Sequence, residues 1–253
     1  MDVHYLPSQY RASRPIKDYF IEFILIFLAV MLGLYVNHYL ESKTEKVKTK
    51  DFARTIYDDL KIDVTNLQRT IDEKNWIGAK YDSLEDILAT KDVREHNEYI
   101  YYVERYVAKS PVFESKDITY DQLRNPANKK DTKDIKLQKN IAAYNASYKQ
   151  YRAKENTFIN FELSNLSEIE SSLFNPSDLS SLDNPKADDF QALVLRPGVE
   201  LQPIRRNTTF LKLLYIKVDY AGKHTRSMRL LLEKQKALGL SLMKELEKEY
   251  NLE

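Results

Sequence analysis

The 253-residue chain contains no cysteine. Disulfides, thiolate nucleophiles, zinc clusters and thiolate-held iron–sulfur centres are therefore excluded together. Glycine is nearly as scarce: Gly33, Gly78, Gly198, Gly222 and Gly239 stand far apart. Loops that cradle phosphate need clustered glycines so that backbone amides can approach the ligand, so the common nucleotide folds do not fit. The four histidines (His4, His38, His96, His224) fall in unrelated segments, without the Glu-x-x-His pairs of a di-iron bundle. Neither sign of charge dominates, with 39 basic residues against 38 acidic ones and a net charge of +1. A nucleic-acid partner, which calls for a basic excess on one face, is not expected. No cofactor or metal is expected, and no enzymatic activity.

Against this background one stretch stands out. Residues 23–40 (FILIFLAVMLGLYVNHYL) carry no charge, in a chain that is 30% charged. As a helix they measure about 27 Å, close to the hydrocarbon thickness of a bilayer. The run is longer than a signal-peptide core, and no small-x-small cleavage site follows it. It reads as an uncleaved anchor: a tail at 1–18, a transmembrane helix at 19–40, and a domain at 41–253. Tyr19, Tyr35 and Tyr39 fit an interfacial aromatic belt. Basic residues lie on both sides of the span, with Lys43, Lys46, Lys48, Lys50 and Arg54 interleaved with acids on the C-terminal side. Charge counting alone mildly favours a cytoplasmic C-terminal domain.

Ser13-Arg14-Pro15 has the form of a helix start, with Ser13 as N-cap. Proline is then absent until Pro111, so the membrane helix is expected to run on into the domain. Phe52, Ile56, Leu60, Val64, Leu67 and Ile71 recur at steps of three and four, one face of an amphipathic helix reaching Leu88. A tyrosine-rich helix follows over 93–108, and then a loop over 109–132. A third long helix is marked by Leu137, Ile141, Tyr144, Tyr148, Tyr151, Glu155, Phe158, Glu162, Leu166, Ile169 and Leu173, and it stops at Asn175-Pro176. Residues 176–207 carry four prolines and form an insertion that is either functional or locally ordered. Within it, 192–203 suggests a hairpin turning at Pro197-Gly198. A last helix covers 210–250, with Phe210, Leu214, Met228, Leu232, Leu238, Leu242 and Leu246 inward. The expected fold is all-α: one transmembrane helix, then an elongated antiparallel coiled-coil-like bundle of three long helices plus shorter ones.

Several of these residues resemble a family of single-span Bacteroidota membrane proteins known only as a domain of unknown function. They are Glu22-Phe23 entering the apolar run, Gly33 within it, Asn37 and Glu41 at its exit, the stretch 52–63 (FARTIYDDLKID), and Thr119-Tyr120-Asp121-Gln122-Leu123. The chain departs from the family where Arg124-Asn125-Pro126-Ala127-Asn128 replaces a usual Ser-Ser-Gly. It departs again at Tyr39, where members often carry tryptophan. The resemblance implies a bacterial inner-membrane anchor and a helical, periplasmic domain. It implies no activity.

The candidate sites follow from these segments. Glu22 is an ionisable group opening an apolar span; it either sits hydrated at headgroup level or meets a basic or hydroxyl group of another subunit. With Gly33 and Asn37 it marks a candidate intramembrane contact face, because small and polar residues are what helices in lipid use to associate. Glu155 and Glu162 share a face of the third helix; pairing with a lysine of a neighbouring helix, or fixing register, fits them better than metal binding. Tyr99, Tyr102, Tyr144 and Tyr148 are a candidate groove for a peptide or glycan, though tyrosines at this spacing are more often bundle core. Arg205-Arg206 and the charge-mixed end 244–253 read as solvated surface. The function expected is a non-enzymatic scaffold or accessory subunit whose partners are membrane lipid and other inner-membrane subunits or a second copy. The alternative is a ligand- or peptide-sensing module that signals through the single membrane helix.

Overall fold

The structure, a computed structural model, describes residues 16–90, 92–107, 111–116, 135–183, 191, 194–195 and 198–252. The proposed Ser13 cap, the Thr119–Leu123 motif residues and Pro197 lie outside the described residues. The fold is all-α. In chain order the helices are α1 (Ile16–Thr90), α2 (Asn97–Val107), α3 (Ile135–Leu173), the single turn α4 (Pro176–Leu179) and α5 (Thr208–Tyr250). Two residue pairs, β1 (Leu182–Asp183) and β2 (Val194–Leu195), join antiparallel between α4 and α5.

Packing divides the chain into two units, Met1–Asp51 and Phe52–Glu253. In the first, the described residues are all α1. Its most apolar 18-residue window has a mean hydropathy of 2.4, and none of that window is buried within the protein. Among the described residues this is the one helix long and apolar enough to cross a membrane.

The second unit is built on a heptad. In α1 the buried series Ala53, Ile56, Leu60, Asp63, Leu67, Thr70, Lys74, Ile77, Tyr81 and Leu84 alternates steps of three and four. In α5 the same alternation runs through Leu214, Val218, Ala221, Thr225, Met228, Leu232, Gln235, Gly239, Leu242 and Leu246. A 3/4 alternation keeps one face of each helix turned toward its neighbours. Most of the expected α3 seam is buried as far as its side chains are described (Leu137, Ile141, Tyr144, Tyr151, Glu155, Phe158, Ile169 and Leu173), while Tyr148 is half-buried and Asn145 and Ser147, not expected there, are buried.

Contacts along the seams give the helix directions. Tyr57 Oη bonds Glu247, Arg229 bonds Asn75 and Arg226 bonds Asp82, so α5 runs antiparallel to α1. Asn140 bonds Glu245, and His224 meets Glu155, so α5 is also antiparallel to α3. However, Tyr144 bonds Asp63 and Lys74 bonds Glu155, which makes α1 and α3 parallel. The expected antiparallel packing holds for α5 against both partners and not for α1 with α3.

The reason lies in the segment between them, expected to be helix and then plain loop. The hydroxyl of Tyr81 donates to the Tyr106 carbonyl at the end of α2. Phe113 then packs at the level of Tyr148 and Tyr151, and Ser115 and Lys116 reach Asp63. The chain has thus travelled back along α1 by about 18 residues before α3, so α3 sets out in the same direction as α1.

The 176–207 insertion is locally ordered where it is described. Asn175 caps α4 by accepting from Ser177 N–H, and Pro176 occupies the first turn. The hairpin expected at Pro197-Gly198 is replaced by β1–β2, in register Leu182 with Leu195 and Asp183 with Val194. The 201–204 arm is already committed elsewhere. Gln202 N–H donates to Asp178, while Asn97 bonds the Gln202 carbonyl and the Ile204 N–H. Helix α5 starts at Asn207, whose side chain accepts from Phe210 N–H, and ends at Asn251 with φ of 50°.

Two buried glycines, Gly239 on the α5 seam and Gly78 beside the α1 seam, give opposite expectations. A Cβ on Gly239 meets Val64 at 3.2 Å and Tyr144 at 3.3 Å, whereas one on Gly78 meets only Thr225 at 3.7 Å. Gly239→Leu is expected to cost about 1–3 kcal/mol through overpacking. Gly78→Ala is expected to add about 0.5–1 kcal/mol through helix propensity. Urea unfolding of the full-length chain in detergent, followed by far-UV circular dichroism, measures both.

Candidate functional site

Of the residues singled out in the sequence, Glu22, Gly33 and Asn37 lie on the exposed apolar part of α1. At 100° per residue they fall within an arc of about 60°, so they do share a face. A Cβ on Gly33 has nothing within 4 Å inside the protein.

The four tyrosines are not brought together. Tyr99 and Tyr102 are half-buried on α2, with hydroxyls donating to the carbonyls of Lys80 and Gln191. Tyr144 belongs to a separate core cluster with Leu60 and Leu242, and Tyr148 packs edge-on against Phe113 at another level. Tyr99 and Tyr102 pack against one core cluster, and Tyr144 and Tyr148 against two others. Tyr102 also meets Tyr106 edge-to-face at 5.3 Å, and Tyr106 meets Trp76 at 4.9 Å.

The chemistry that the structure does gather is a ladder of buried polar groups inside the bundle. At its centre the Lys74 ammonium donates to Glu155 Oε1 at 3.0 Å, with both side chains fully buried. His224 Nε2 stands 3.2 Å from Glu155 Oε2, and the imidazole lies flat on Phe158, rings 3.7 Å apart and 4° from parallel. For that contact to be a hydrogen bond, Nε2 carries the proton. Burial pushes the Glu155 carboxyl up, but the His224 bond and the Lys74 charge outweigh it and hold the group below its usual range. Burial pulls Lys74 down, against the opposing pull of Glu155. Glu155 thus pairs with a lysine of a neighbouring helix; the side chain of Glu162 lies outside the described set.

A second level is centred on Asp63. Its carboxylate accepts from Ser115, from Lys116 N–H at 3.0 Å and from Tyr144 at 2.9 Å. Gln235 closes this level by donating to the Tyr144 carbonyl. A third level holds Glu104 of α2, fully buried, with no donor within reach of either oxygen. Burial raises Glu104 well above the ordinary carboxylate range, and neighbouring Glu170 raises it further, while Arg105 and Lys217 pull the other way. Burial and the neighbouring Glu170 both favour the neutral form of Glu104.

Such groups position helices more readily than they perform chemistry. Replacing a hydrophobic seam residue by a charge that is satisfied in one alignment penalises every other alignment. Among the described residues no group of three or more His, Asp or Glu side chains is placed to hold a metal ion. Sequence reasoning missed Lys74, His224, Asp63 and Glu104. Asp63, Lys74 and Glu104 were findable, because they sit in phase with Leu60, Leu67 and Ile100; His224 lies one position off the α5 seam at Thr225.

These levels carry opposite pH signatures. Glu155 is held below its unfolded value, so its contribution is present above about pH 4.5 and is lost as pH falls through the folded value. Glu104 is held above its unfolded value of 4.5, so its contribution is complete below that pH and is lost as pH rises through the folded value. Glu104→Gln is therefore expected to flatten the alkaline decline in stability, and urea titrations across pH test it. Glu155→Ala strands a buried lysine and is expected to cost about 3–5 kcal/mol, whereas Lys74→Met with Glu155→Leu restores most of that. Denaturant midpoints of the two variants, compared at neutral pH, check the difference.

Comparison with protein-family models, with curated proteins and with solved structures finds no match to this chain.

Proposed function

We propose that the chain is a membrane-anchored, non-enzymatic scaffold or accessory subunit of a bacterial inner-membrane complex, presenting its helical bundle to partners in the periplasm. The observation that carries this is the first unit. From Phe20 to Leu40 its large apolar side chains are exposed, and no residue of the most apolar window is buried within the protein. Water does not tolerate a surface of that size, and a bilayer core matches its length. The non-enzymatic part of the reading rests on composition, with neither cysteine nor clustered glycine to supply the commoner reactive centres. The periplasmic side and the family rest on the resemblance of the anchor and of the 52–63 segment. Glu22, Gly33 and Asn37 are proposed as the face that meets another membrane helix.

A second reading, a ligand- or peptide-sensing module, is favoured by one feature: α1 is a single helix from Ile16 to Thr90. A signalling partner on the other side of the membrane would then be required.

The anchoring reading expects the full-length protein to stay in the membrane pellet after alkaline carbonate extraction. Leu28→Arg with Met31→Arg is expected to release it, since arginine at a span centre costs about 2.5–3.5 kcal/mol per residue. Release of the wild-type protein by carbonate contradicts anchoring. A reporter enzyme active only in the periplasm, fused after residue 253, is expected to be active. Copurification of a membrane subunit that weakens with Glu22→Ala, with no small molecule or peptide bound to the purified protein, separates scaffold from sensor.

A further inference from the structure

Just past the apolar run, the surface of α1 is charged. Lys43, Lys46 and Lys50 project from α1 within an arc of about 60°, and Tyr39 lies in the same arc. Glu41, Glu45 and Asp51 all lie more than about 100° from its centre, and Lys48 is on the opposite side.

This segregation is unlike an ordinary solvated helix, in which acids and bases alternate at spacings of three and four to support each other. Lys43 and Lys46 have no acidic residue at either spacing, whereas Lys48 has Glu45 and Asp51. Lys46 and Lys50 are themselves a like-charged pair four apart. Like charges stacked four apart destabilise an isolated helix, and an external counter-charge offsets that.

Direction matters as well. Side chains on a helix lean toward its N-terminus, and here the N-terminal side is the apolar run. The Lys43 ammonium shows this lean: it sits over the Tyr39 ring, 5.0 Å from the centroid. Lys46, leaning the same way, brings its charge to within about one Debye length of the end of the run. An apolar segment, a tyrosine and two back-leaning exposed lysines in sequence match the layers of a phospholipid leaflet: acyl chains, interface and phosphate.

We propose that Tyr39, Lys43 and Lys46, with Lys50 continuing the stripe, form a binding surface for anionic phospholipid headgroups. The surface gives the anchor a preferred lipid shell and a preferred rotation about its axis. The inference rests on the anchoring reading above.

The test uses the full-length protein reconstituted in phosphatidylcholine vesicles doped with phosphatidylglycerol. Association of spin-labelled phosphatidylglycerol with the protein is compared with that of spin-labelled phosphatidylcholine. The expected result is a preference of about three- to ten-fold for the anionic lipid at low salt. That preference falls toward parity in Lys43→Gln/Lys46→Gln and at high salt, and it is kept in Lys48→Gln. Equal association of both lipids with the wild-type protein overturns the proposal. So does a double variant that keeps the preference, or a Lys48→Gln variant that loses as much as the double one. Failure of the protein to float with neutral vesicles overturns the anchoring reading and this inference with it. Flotation without lipid preference overturns this inference alone.

Discussion

The bundle depends on a buried ion pair more than on any single apolar contact. Lys74 and Glu155 are both sealed from solvent, at 3.0 Å, with His224 closing the second carboxylate oxygen. Each charge is tolerable only beside the other. Leucines along a seam accept a slip of one heptad at modest cost, because the next residue is also apolar. A buried ion pair accepts none, since a slip one way sets Lys74 against Tyr148 and a slip the other way sets Glu155 against Leu67. The alignment of α1, α3 and α5 is therefore fixed at this level, and the apolar layers on either side fill in around it.

The same logic explains the chain path. A second polar anchor, Asp63, lies eleven residues before Lys74, and its α3 partner Tyr144 lies eleven before Glu155. The two pairs keep step, so α1 and α3 are parallel and in register over at least three turns. Parallel neighbours need a long return connection, and α2 with residues 111–116 supplies the described part of it. Asp63 is what ties that return down. Its carboxylate holds Ser115 and Lys116 as well as Tyr144, so one side chain joins the connection to both helices. Glu104 sits at the opposite end of the return segment. It is buried, and burial together with Glu170 favours its neutral form, so the α2 contact carries a pH dependence opposite in sign to that of Glu155.

Helix class and extent were legible from the sequence, because proline punctuation and 3/4 periodicity report directly on backbone and burial. Most of the α3 seam was legible as far as its side chains are described, since polar Glu155 could be kept in phase with its apolar neighbours. In α1 the apolar series Phe52, Ile56, Leu60, Val64, Leu67 and Ile71 traced one flank of the seam. It passed over Asp63 and Lys74, which hydrophobicity alone marks as surface. In α5 the apolar reading likewise skipped Lys217, Thr225 and Gln235, all buried. The parallel course of α1 and α3 was not legible, because it is decided by pairings across about 81 residues of sequence. The β1–β2 pairing was missed for a related reason. Asp178 and Asn97 take up the backbone groups of the 201–204 arm, and neither lies near that arm in sequence.

The absence of cysteine makes the central claim directly measurable, because labels can be introduced at will. Spin labels at Lys61→Cys and Ala143→Cys lie at the same level in a parallel α1–α3 pair, and at Lys61→Cys and Glu168→Cys at levels about 39 Å apart. Double electron–electron resonance on the full-length chain is predicted to give a short distance for the first pair, below about 25 Å, given interaxial spacings of about 8–10 Å plus the label arms. It is predicted to give a long distance for the second. The reverse order, with the 61–168 pair short and the 61–143 pair long, would contradict the parallel register that Asp63–Tyr144 and Lys74–Glu155 impose.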